Sequence, residues 1–193
     1  MKNKVLVLLS TYNGEKYVYA QLESILSQKN VELSVLCRDD GSEDNTFEIV
    51  LEFVQTHKNI TLIKGNNIGC AKSYYFLLEE AYRLRDQFDY FSFSDQDDVW
   101  LENKLKRAID CLEKEEIAKQ QPYLYCSNLS IVDSNLRFIK LMNGNNVSLS
   151  KAGLLVENVC TGCTMVFNRS VLDFFNQYKP DSFRLHDIWL ADM

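Results

Sequence analysis

The sequence is poor in residues that interrupt regular structure, with only two prolines and seven glycines among 193 residues. It has no linker rich in Ser and Gly and no internal repeat, so we expect a single domain over residues 1–193. No apolar run is long enough to cross a bilayer. The apolar run at residues 5–9 is too short for a signal-peptide core, and it predicts a first buried strand in a cytoplasmic protein.

Positive charge is scarce as well, since 21 Lys and Arg stand against 27 Asp and Glu, which gives a net charge of −6. Binding to a phosphate backbone needs clustered Lys and Arg, so this balance argues against nucleic acid as a partner. Cys160 and Cys163 are the one pair of cysteines with the C-x-x-C spacing of metal ligands, and no histidine lies at the spacing of a zinc site. We favour two cysteines in or beside a buried strand over a zinc or redox site.

Apolar runs alternate with amphipathic segments along the chain, which predicts an α/β protein with a mostly parallel central sheet flanked by helices. Strands are predicted at residues 5–9, 33–37, 60–63, 90–93, 123–127 and 159–167. Helices are predicted at residues 15–28, 45–56, 71–84, 100–117 and 170–178. The segment 133–153, rich in Asn and Ser, predicts a loop or an exposed region.

The aromatic run at residues 90–93 ends in three carboxylates within four residues: Asp95, Asp97 and Asp98. Crowded carboxylates repel one another unless a cation joins them, and oxygen ligands of this kind suit Mg²⁺ or Mn²⁺. One interpretation is therefore a site for a metal-bound diphosphate at the carboxyl end of a strand. The other is a solvated acidic turn in which Asp97 or Asp98 caps a helix that starts near Trp100.

Polar clusters also follow three other predicted strands, at residues 11–13, 39–42 and 67–69. Because the carboxyl ends of parallel strands lie at one edge of a sheet, four such clusters would converge on a single cleft. If the four clusters were unrelated solvated loops, nothing would require all of them to follow strands and so to lie at the same edge of the sheet. The coincidence favours the metal-diphosphate interpretation of the acidic cluster.

Six ordered pieces of the chain resemble the nucleotide-sugar-dependent glycosyltransferases of family 2, which have the GT-A (Rossmann-like) fold. Residues 9–15, 38–42 and 67–72 resemble the three nucleotide-binding loops, and Asp95-Gln96-Asp97 resembles the metal-binding D-x-D motif. Residues 162–168 resemble the acceptor-side strand, and His186-Asp187 resembles the motif that bears the catalytic base. Residues 95–100 and 186–189 are similar to the bacterial rhamnosyltransferase-like branch, which builds O-antigens and other polysaccharides.

The resemblance implies an inverting, metal-dependent transfer of rhamnose or a hexose from a dTDP- or UDP-sugar to a hydroxyl of a glycan, glycolipid or glycoprotein. It implies that Asp187 is the general base and that Mg²⁺ or Mn²⁺ binds among Asp95, Asp97 and His186. The expected nucleotide contacts are Thr11, Tyr12, Asn13, Glu15, Asp39, Asp40, Asn67, Lys72, Asp95 and Gln96.

Several of these residues have other interpretations. Asp39 at a strand end is typical of an Asx-turn, Lys72 of an exposed lysine in the first turn of a helix, and His186 of a structural histidine. For Asp98 we favour the helix cap over a role near the metal.

The resemblance also sets expectations for the whole protein. Relatives usually continue after the base, so we expect the helices that close the acceptor site to be missing from this chain. A lipid-linked acceptor would place the domain at the inner face of the membrane, and self-association as a homo-oligomer would cover an apolar edge. The alternative function is a non-catalytic nucleotide-sugar-binding or self-associating module of a larger enzyme.

Overall fold

Strands and helices alternate along the chain in the computed structural model, which describes residues 2–114, 121–143, 160–179 and 185–191. The strands are β1 Asn3–Thr11, β2 Val31–Asp39, β3 Ile60–Lys64, β4 Tyr90–Ser94, β5 Leu124–Cys126, β6 Ser130–Val132, β7 Phe138–Leu141 and β8 Met165–Asn168. The helices are α1 Val18–Leu26, α2 Thr46–Thr56, α3 Cys70–Leu84, α4 Lys104–Lys114, α5 Arg169–Gln177 and α6 His186–Ala191. Short 3-10 turns occupy Arg85–Gln87 and Gly162–Thr164.

Six strands form the central sheet in the order β3-β2-β1-β4-β8-β5. Strands β1 to β4 are parallel, whereas β8 is antiparallel to both of its neighbours, β4 and β5. In the register of the sheet, Thr11 lies beside Asp39 and Leu9 lies beside Ser94. The carboxyl ends of three parallel strands therefore meet at one edge, as the sequence predicts.

Helices cover both faces of this sheet. Val5, Val7 and Leu9 of β1 pack in one core with α1, α2 and α4, whereas Leu6 and Leu8 pack in a second core with α3, α5 and α6. Successive side chains of a strand point to opposite faces, so a strand that is covered on both sides is apolar throughout. This explains the unbroken apolar run at residues 5–9. Across the described ranges, no helix combines the length and hydropathy that a membrane crossing requires.

The predicted start of α4 at Trp100 is wrong, because this helix begins at Lys104. The side-chain amide of Gln28 donates to the carbonyl of Leu101 at 2.8 Å and accepts from the N–H of Leu105 at 3.1 Å. These tertiary hydrogen bonds hold residues 101–103 as a turn, which local periodicity cannot reveal. The predicted end of the helix at residue 117 lies outside the described residues.

The acceptor-side segments also differ from their predictions. The predicted strand 159–167 is a strand only from Met165, after the 3-10 turn Gly162–Thr164, and its first residue lies outside the described part. For segment 133–153, the predicted exposure is present, since residues 134–140 are exposed. The predicted loop is wrong for β7, which pairs with β6 in a separate two-stranded hairpin, and the residues after 143 are not described. This hairpin is exposed on most of its surface, so it lacks the apolar alternation that marks a half-buried strand.

Candidate active site

A cavity of about 400 Å³ opens at the carboxyl edge of the parallel strands. Its volume lies in the usual range for small-molecule sites. The lining residues come from the end of β1, from all four predicted polar clusters and from the start of α3: Ser10, Tyr12, Asp40, Asn67, Gly69, Cys70, Tyr74, Asp95, Gln96 and Asp97. The predicted convergence of the four clusters on one cleft is therefore confirmed.

Asp39 is fully buried at the end of β2 and does not line the cavity. Its Oδ2 accepts hydrogen bonds from Thr11 Oγ1 at 3.1 Å and Ser42 Oγ at 2.6 Å, while Oδ1 accepts the N–H of Ser42 at 3.0 Å. Thr11 is buried as well. These contacts join the loops that follow β1 and β2, so the turn role considered for Asp39 is present.

Asn13 and Glu15 also face the loop after β2 rather than the cavity. The N–H of Asn13 donates to Ser42 Oγ at 3.0 Å, and Asn13 Oδ1 accepts the N–H of Glu43 at 2.9 Å. Glu15 Oε2 accepts both the backbone N–H of Asn45 at 3.1 Å and its side-chain amide at 2.9 Å. Both residues therefore support the loop beside the cavity.

Asp40 lines the cavity and takes part in a buried ion pair with Arg38, whose side chain is 5% exposed. The Asp40 carboxylate also accepts the N–H groups of Ile68 at 3.0 Å and Gly69 at 2.9 Å, just before α3. A buried charge of this kind must be paired and hydrogen-bonded to be tolerated. Arg38 was expected only as part of the loop 38–42, although a charged residue directly after the predicted strand 33–37 was a signal for a role of its own.

Asn67 and Lys72 differ in their relation to the cavity. Asn67 lines it, and its Oδ1 accepts the N–H of Gly69 at 3.1 Å. Lys72 is exposed and lies outside the lining residues. The exposed-lysine interpretation therefore describes the position of Lys72 in this structure.

Gln96 connects the acidic loop to the loop after β1. Its Oε1 accepts the N–H of Tyr12 at 2.9 Å, and its Nε2 donates to the carbonyl of Tyr12 at 2.9 Å. Gly14 permits this approach, because a Cβ at that position would lie 2.3 Å from Gln96 Oε1. The two hydrogen bonds fix Tyr12, whose half-exposed ring lines the cavity.

Asp95, Asp98 and Cys163 bring their ligand atoms within 4.8 Å of one another. Burial raises the pKa of Asp95 to about 6, and the charges of Asp98 and Asp97 add to this effect, which a hydrogen bond from Tyr74 opposes. The Tyr74 hydroxyl lies 2.9 Å from Asp95 Oδ1 and 2.7 Å from the carbonyl of Ser94. Tyr74 was missed by the sequence analysis, since nothing separates it from the other apolar positions of α3.

Lys104 places a positive charge next to the acidic loop. Its ammonium donates to the carbonyl of Cys163 and lies 3.4 Å from the ring centroid of Trp100. Burial lowers the pKa of Lys104 to about 7, although the nearby charges of Asp98 and Asp95 oppose this shift. Since α4 begins only at Lys104, the interpretation of Asp98 as the cap of this helix is wrong.

The residues around Asp95 fit a divalent cation through their carboxylates. Asp95 and Asp98 converge, and Asp97 lines the same cavity. Carboxylate oxygens are suitable ligands for Mg²⁺ and Mn²⁺, whereas a thiol such as that of Cys163 is not. His186 does not belong to this group of ligand atoms among the described residues.

His186 is buried against aromatic rings at the start of α6. Its ring stacks on Tyr74 with centroids 3.8 Å apart and meets the ring of Phe93 at 4.6 Å. Within the described ranges, neither of its ring nitrogens has a hydrogen-bond partner, and burial lowers the pKa of His186 to about 4. A Cβ on Gly162 would lie 2.5 Å from His186 Nε2, so the chain packs tightly here.

Asp187 lies next to His186 and is 7% exposed. Its Oδ2 accepts the N–H of Gly162 at 3.2 Å, and its Oδ1 accepts the N–H of Ile188 at 2.8 Å. Burial raises the pKa of the Cys70 thiol, and the charges of Asp95, Asp187 and Asp40 raise it further. Cys70, Asp40 and Asp95 line the cavity, whereas Asp187 is not among its described lining residues.

The fold and the cavity define an α/β protein of the kind that binds nucleotides at the carboxyl edge of its sheet. The sequence profile described as glycosyl transferase family 2 matches residues 6–175. The chain therefore belongs to glycosyl transferase family 2, as its motifs indicated.

Two relatives support the resemblance to the bacterial rhamnosyltransferase-like branch. The chain is 34% identical over 173 residues to the dTDP-rhamnosyl transferase RfbG of Shigella flexneri, covering 88% of this chain and 57% of RfbG. It is 29% identical over 192 residues to WfgD of Escherichia coli, a UDP-Glc:alpha-D-GlcNAc-diphosphoundecaprenol beta-1,3-glucosyltransferase, covering 97% of this chain and 68% of WfgD. The chain thus spans little more than half the length of RfbG.

A solved structure confirms the GT-A fold. The chain superimposes on Staphylococcus aureus TarS 1–349 in complex with UDP-GlcNAc with a TM-score of 0.72 and 21% identity. The match covers 97% of this chain and 52% of the TarS chain. The described residues therefore form the nucleotide-sugar transferase fold that the sequence predicted.

Proposed function

We propose that this domain transfers rhamnose or a hexose from a dTDP- or UDP-sugar to a hydroxyl of a glycan, glycolipid or glycoprotein, with inversion at the anomeric carbon. The observation that carries the proposal is the cavity at the carboxyl edge of a family 2 sheet, where Asp40, Asp95 and Asp97 converge. The names of RfbG and WfgD support dTDP and UDP as the nucleotides. WfgD also supports a lipid-linked acceptor.

The nucleotide is proposed to lie against Tyr12, Asp40 and Asn67. A carboxylate can accept the imide N–H of uracil or thymine, a group that cytosine lacks. Asp40 is favoured over Asp39 for this contact because Asp40 is among the residues that line the cavity and Asp39 is not, although both carboxylates are buried. Thr11, Asn13, Glu15 and Asp39 would then act on the nucleotide through the loops that they support.

Asp95, together with Asp97 or Asp98, is proposed to hold Mg²⁺ or Mn²⁺. A bound divalent cation stabilises the negative charge of a departing nucleoside diphosphate. Asp187 is proposed to take the proton of the acceptor hydroxyl as general base. Tyr74 contacts both Asp95 and the ring of His186, so a single buried side chain links the donor carboxylate to the segment that bears the base.

The donor half of the proposal can be tested by calorimetric titration with UDP and dTDP, each with Mn²⁺ and with EDTA. We expect one nucleotide to bind more tightly with Mn²⁺, and we expect Asp97→Ala to lose the Mn²⁺-dependent part. Asp173→Ala, on the exposed side of α5, is the matched control. No binding of either nucleotide under any condition would overturn the proposed site.

The transfer half can be tested with Asp187→Asn in a donor-hydrolysis or sugar-transfer assay. Loss of a general base should lower turnover by about 10²–10⁴-fold and leave nucleotide affinity unchanged. Asp173→Asn serves as the control. Normal turnover in Asp187→Asn would show that another group is the base. Nucleotide binding without turnover in the unmodified chain would favour the non-catalytic module.

A further inference from the structure

The β6–β7 hairpin carries a concentration of exposed apolar side chains that belong to neither core, although Met142 Sδ lies 3.9 Å from the hydroxyl of Thr161. Of the exposed large hydrophobic residues in the described chain, five fall between residues 132 and 142. These are Val132, Leu136, Phe138, Ile139 and Met142, which we name the hairpin patch. Val132 and Phe138 lie opposite each other in the register of the two strands, so their side chains share one face. Apolar surface concentrated in this way marks an interaction site more often than scattered residues do.

The tip of the hairpin has a defined turn. The Asp133 carboxylate accepts the N–H groups of Asn135 at 2.8 Å and Arg137 at 2.9 Å. The backbone of Asp133 pairs with the N–H of Leu136 at 2.9 Å and with the carbonyl of Arg137 at 3.0 Å. These four hydrogen bonds keep the tip rigid, so the patch is presented in a fixed shape.

Leu136 has an unusual conformation for its residue type. Its φ of 59° lies in the left-handed region, where Gly or Asn is favoured. Its side chain is 60% exposed, so packing within the domain does not explain the choice of leucine. An apolar residue in a strained backbone conformation at an exposed tip indicates that the residue contributes to binding rather than to the stability of the fold.

Two cations and one carboxylate, that of Asp133, lie on the hairpin, which therefore has a net positive charge. Arg137 and Lys140 are both exposed, and neither forms a salt bridge among the described residues. The chain as a whole carries a net charge of −6, so an anionic layer would repel its total charge. Apolar side chains interleaved with Arg and Lys suit a bilayer interface, where the chains enter the headgroup region and the cations meet anionic lipids.

We propose that the hairpin patch docks the domain on a bilayer that contains anionic lipids. A stable protein interface needs about 20–30 residues on each side, more than the entire hairpin at residues 130–142 provides. A two-stranded hairpin with a hydrogen-bonded turn and exposed apolar side chains is better suited to insertion among headgroups. Docking on the bilayer would bring the cavity to a lipid-linked acceptor, and this part of the proposal rests on the proposed function.

The test is co-sedimentation of the full chain, without nucleotide, with vesicles of phosphatidylcholine alone or mixed with phosphatidylglycerol. We expect binding to the mixed vesicles only, weakened by salt. Arg137→Glu combined with Lys140→Glu should lower the bound-to-free ratio by about tenfold or more. Leu136→Asn combined with Phe138→Ser should lower it at least several-fold. Leu101→Ser and Lys58→Glu are exposed controls outside the hairpin and should bind as the unmodified chain does.

Leu136→Asn alone separates docking from folding, because Asn accepts the left-handed backbone better than Leu. Its melting temperature should stay the same or rise while vesicle binding falls. Equal binding to both vesicle types, or full binding by the Leu136→Asn, Phe138→Ser variant, would overturn the proposal. So would a vesicle-free dimer, seen by ultracentrifugation, that Leu136→Asn abolishes. Nucleotide titration of the same samples shows separately whether the cavity is functional.

Discussion

At the scale of single residues, Asp95 has the clearest conflict between burial and charge. Its carboxyl group is half-buried beside Asp97 and Asp98, and its pKa is raised to about 6. The folded protein therefore holds this proton more tightly than the unfolded chain does. At neutral pH, ionised Asp95 therefore lowers the free energy of unfolding. This loss of stability disappears as the pH falls through about 6 towards 4, because Asp95 then becomes protonated in the folded protein.

Asp95→Asn should accordingly stabilise the metal-free protein at pH 7.5, because the neutral amide avoids this cost. We expect a gain on the order of 1 kcal/mol, or about 2–4 °C in melting temperature, that shrinks as the pH falls towards 4. Thermal unfolding in EDTA at several pH values measures it. Asp97→Asn, which removes an exposed charge from the same loop, is the control and should change less. Lower stability of Asp95→Asn at every pH would mean that the Tyr74 hydrogen bond outweighs burial.

At the scale of structural elements, the site depends on how loops are joined after the strands end. Gln96 binds both backbone groups of Tyr12, and Gly14 leaves the space for its amide. Gly14 does not have a left-handed backbone, so alanine at this position meets only the flexible end of Gln96. Gly14→Ala and Gln96→Ala should therefore break the same two hydrogen bonds by different routes.

A double-mutant cycle tests this coupling between the two loops. Each single substitution should cost roughly 1 kcal/mol of stability and weaken nucleotide binding, because Tyr12 loses its position on the cavity wall. The double variant should be little worse than either single one. Unfolding and calorimetric titration of the three variants give the coupling energy. Additive losses would show that Gly14 acts through its own backbone rather than through Gln96.

The same elements show what the sequence can reveal. Strands β1 and β4 are buried over most of their length and appear in the sequence as apolar runs. The polar residues that follow strands β1 to β4 could be placed at one edge of the sheet. The start of α4 depends on the side chain of Gln28, which follows α1, and the hairpin depends on hydrogen bonds that the Asp133 carboxylate accepts. Tyr74 and Arg38 enter the site through tertiary contacts alone. The spacing of apolar residues along the chain indicates which positions are buried. It does not indicate the start of α4, the hairpin or the positions of Tyr74 and Arg38, because these depend on hydrogen bonds and contacts between particular side chains.

At the scale of the whole molecule, one buried ring, that of His186, links the wall of the cavity at Tyr74 to the segment that bears the proposed base. His186 fills the space between Tyr74 and Phe93, and so joins α6 to α3 and β4. Its ring is neutral at neutral pH, because burial lowers its pKa to about 4 even though the charge of Asp187 opposes this shift. Unfolded histidine takes up a proton near pH 6.5.

Acid should therefore destabilise the fold through His186. The unfolded chain binds a proton that the folded chain excludes, so stability falls as the pH drops from about 6.5 towards 4, opposite in sign to the effect of Asp95. His186→Phe keeps a ring between Tyr74 and Phe93 but cannot titrate, so its stability should depend less on pH across this range. Thermal unfolding of both proteins between pH 7.5 and 4.5 measures the difference. The other histidine of the chain supplies the control, His57→Phe. Parallel pH profiles for the unmodified chain and His186→Phe would show that other buried groups control acid unfolding.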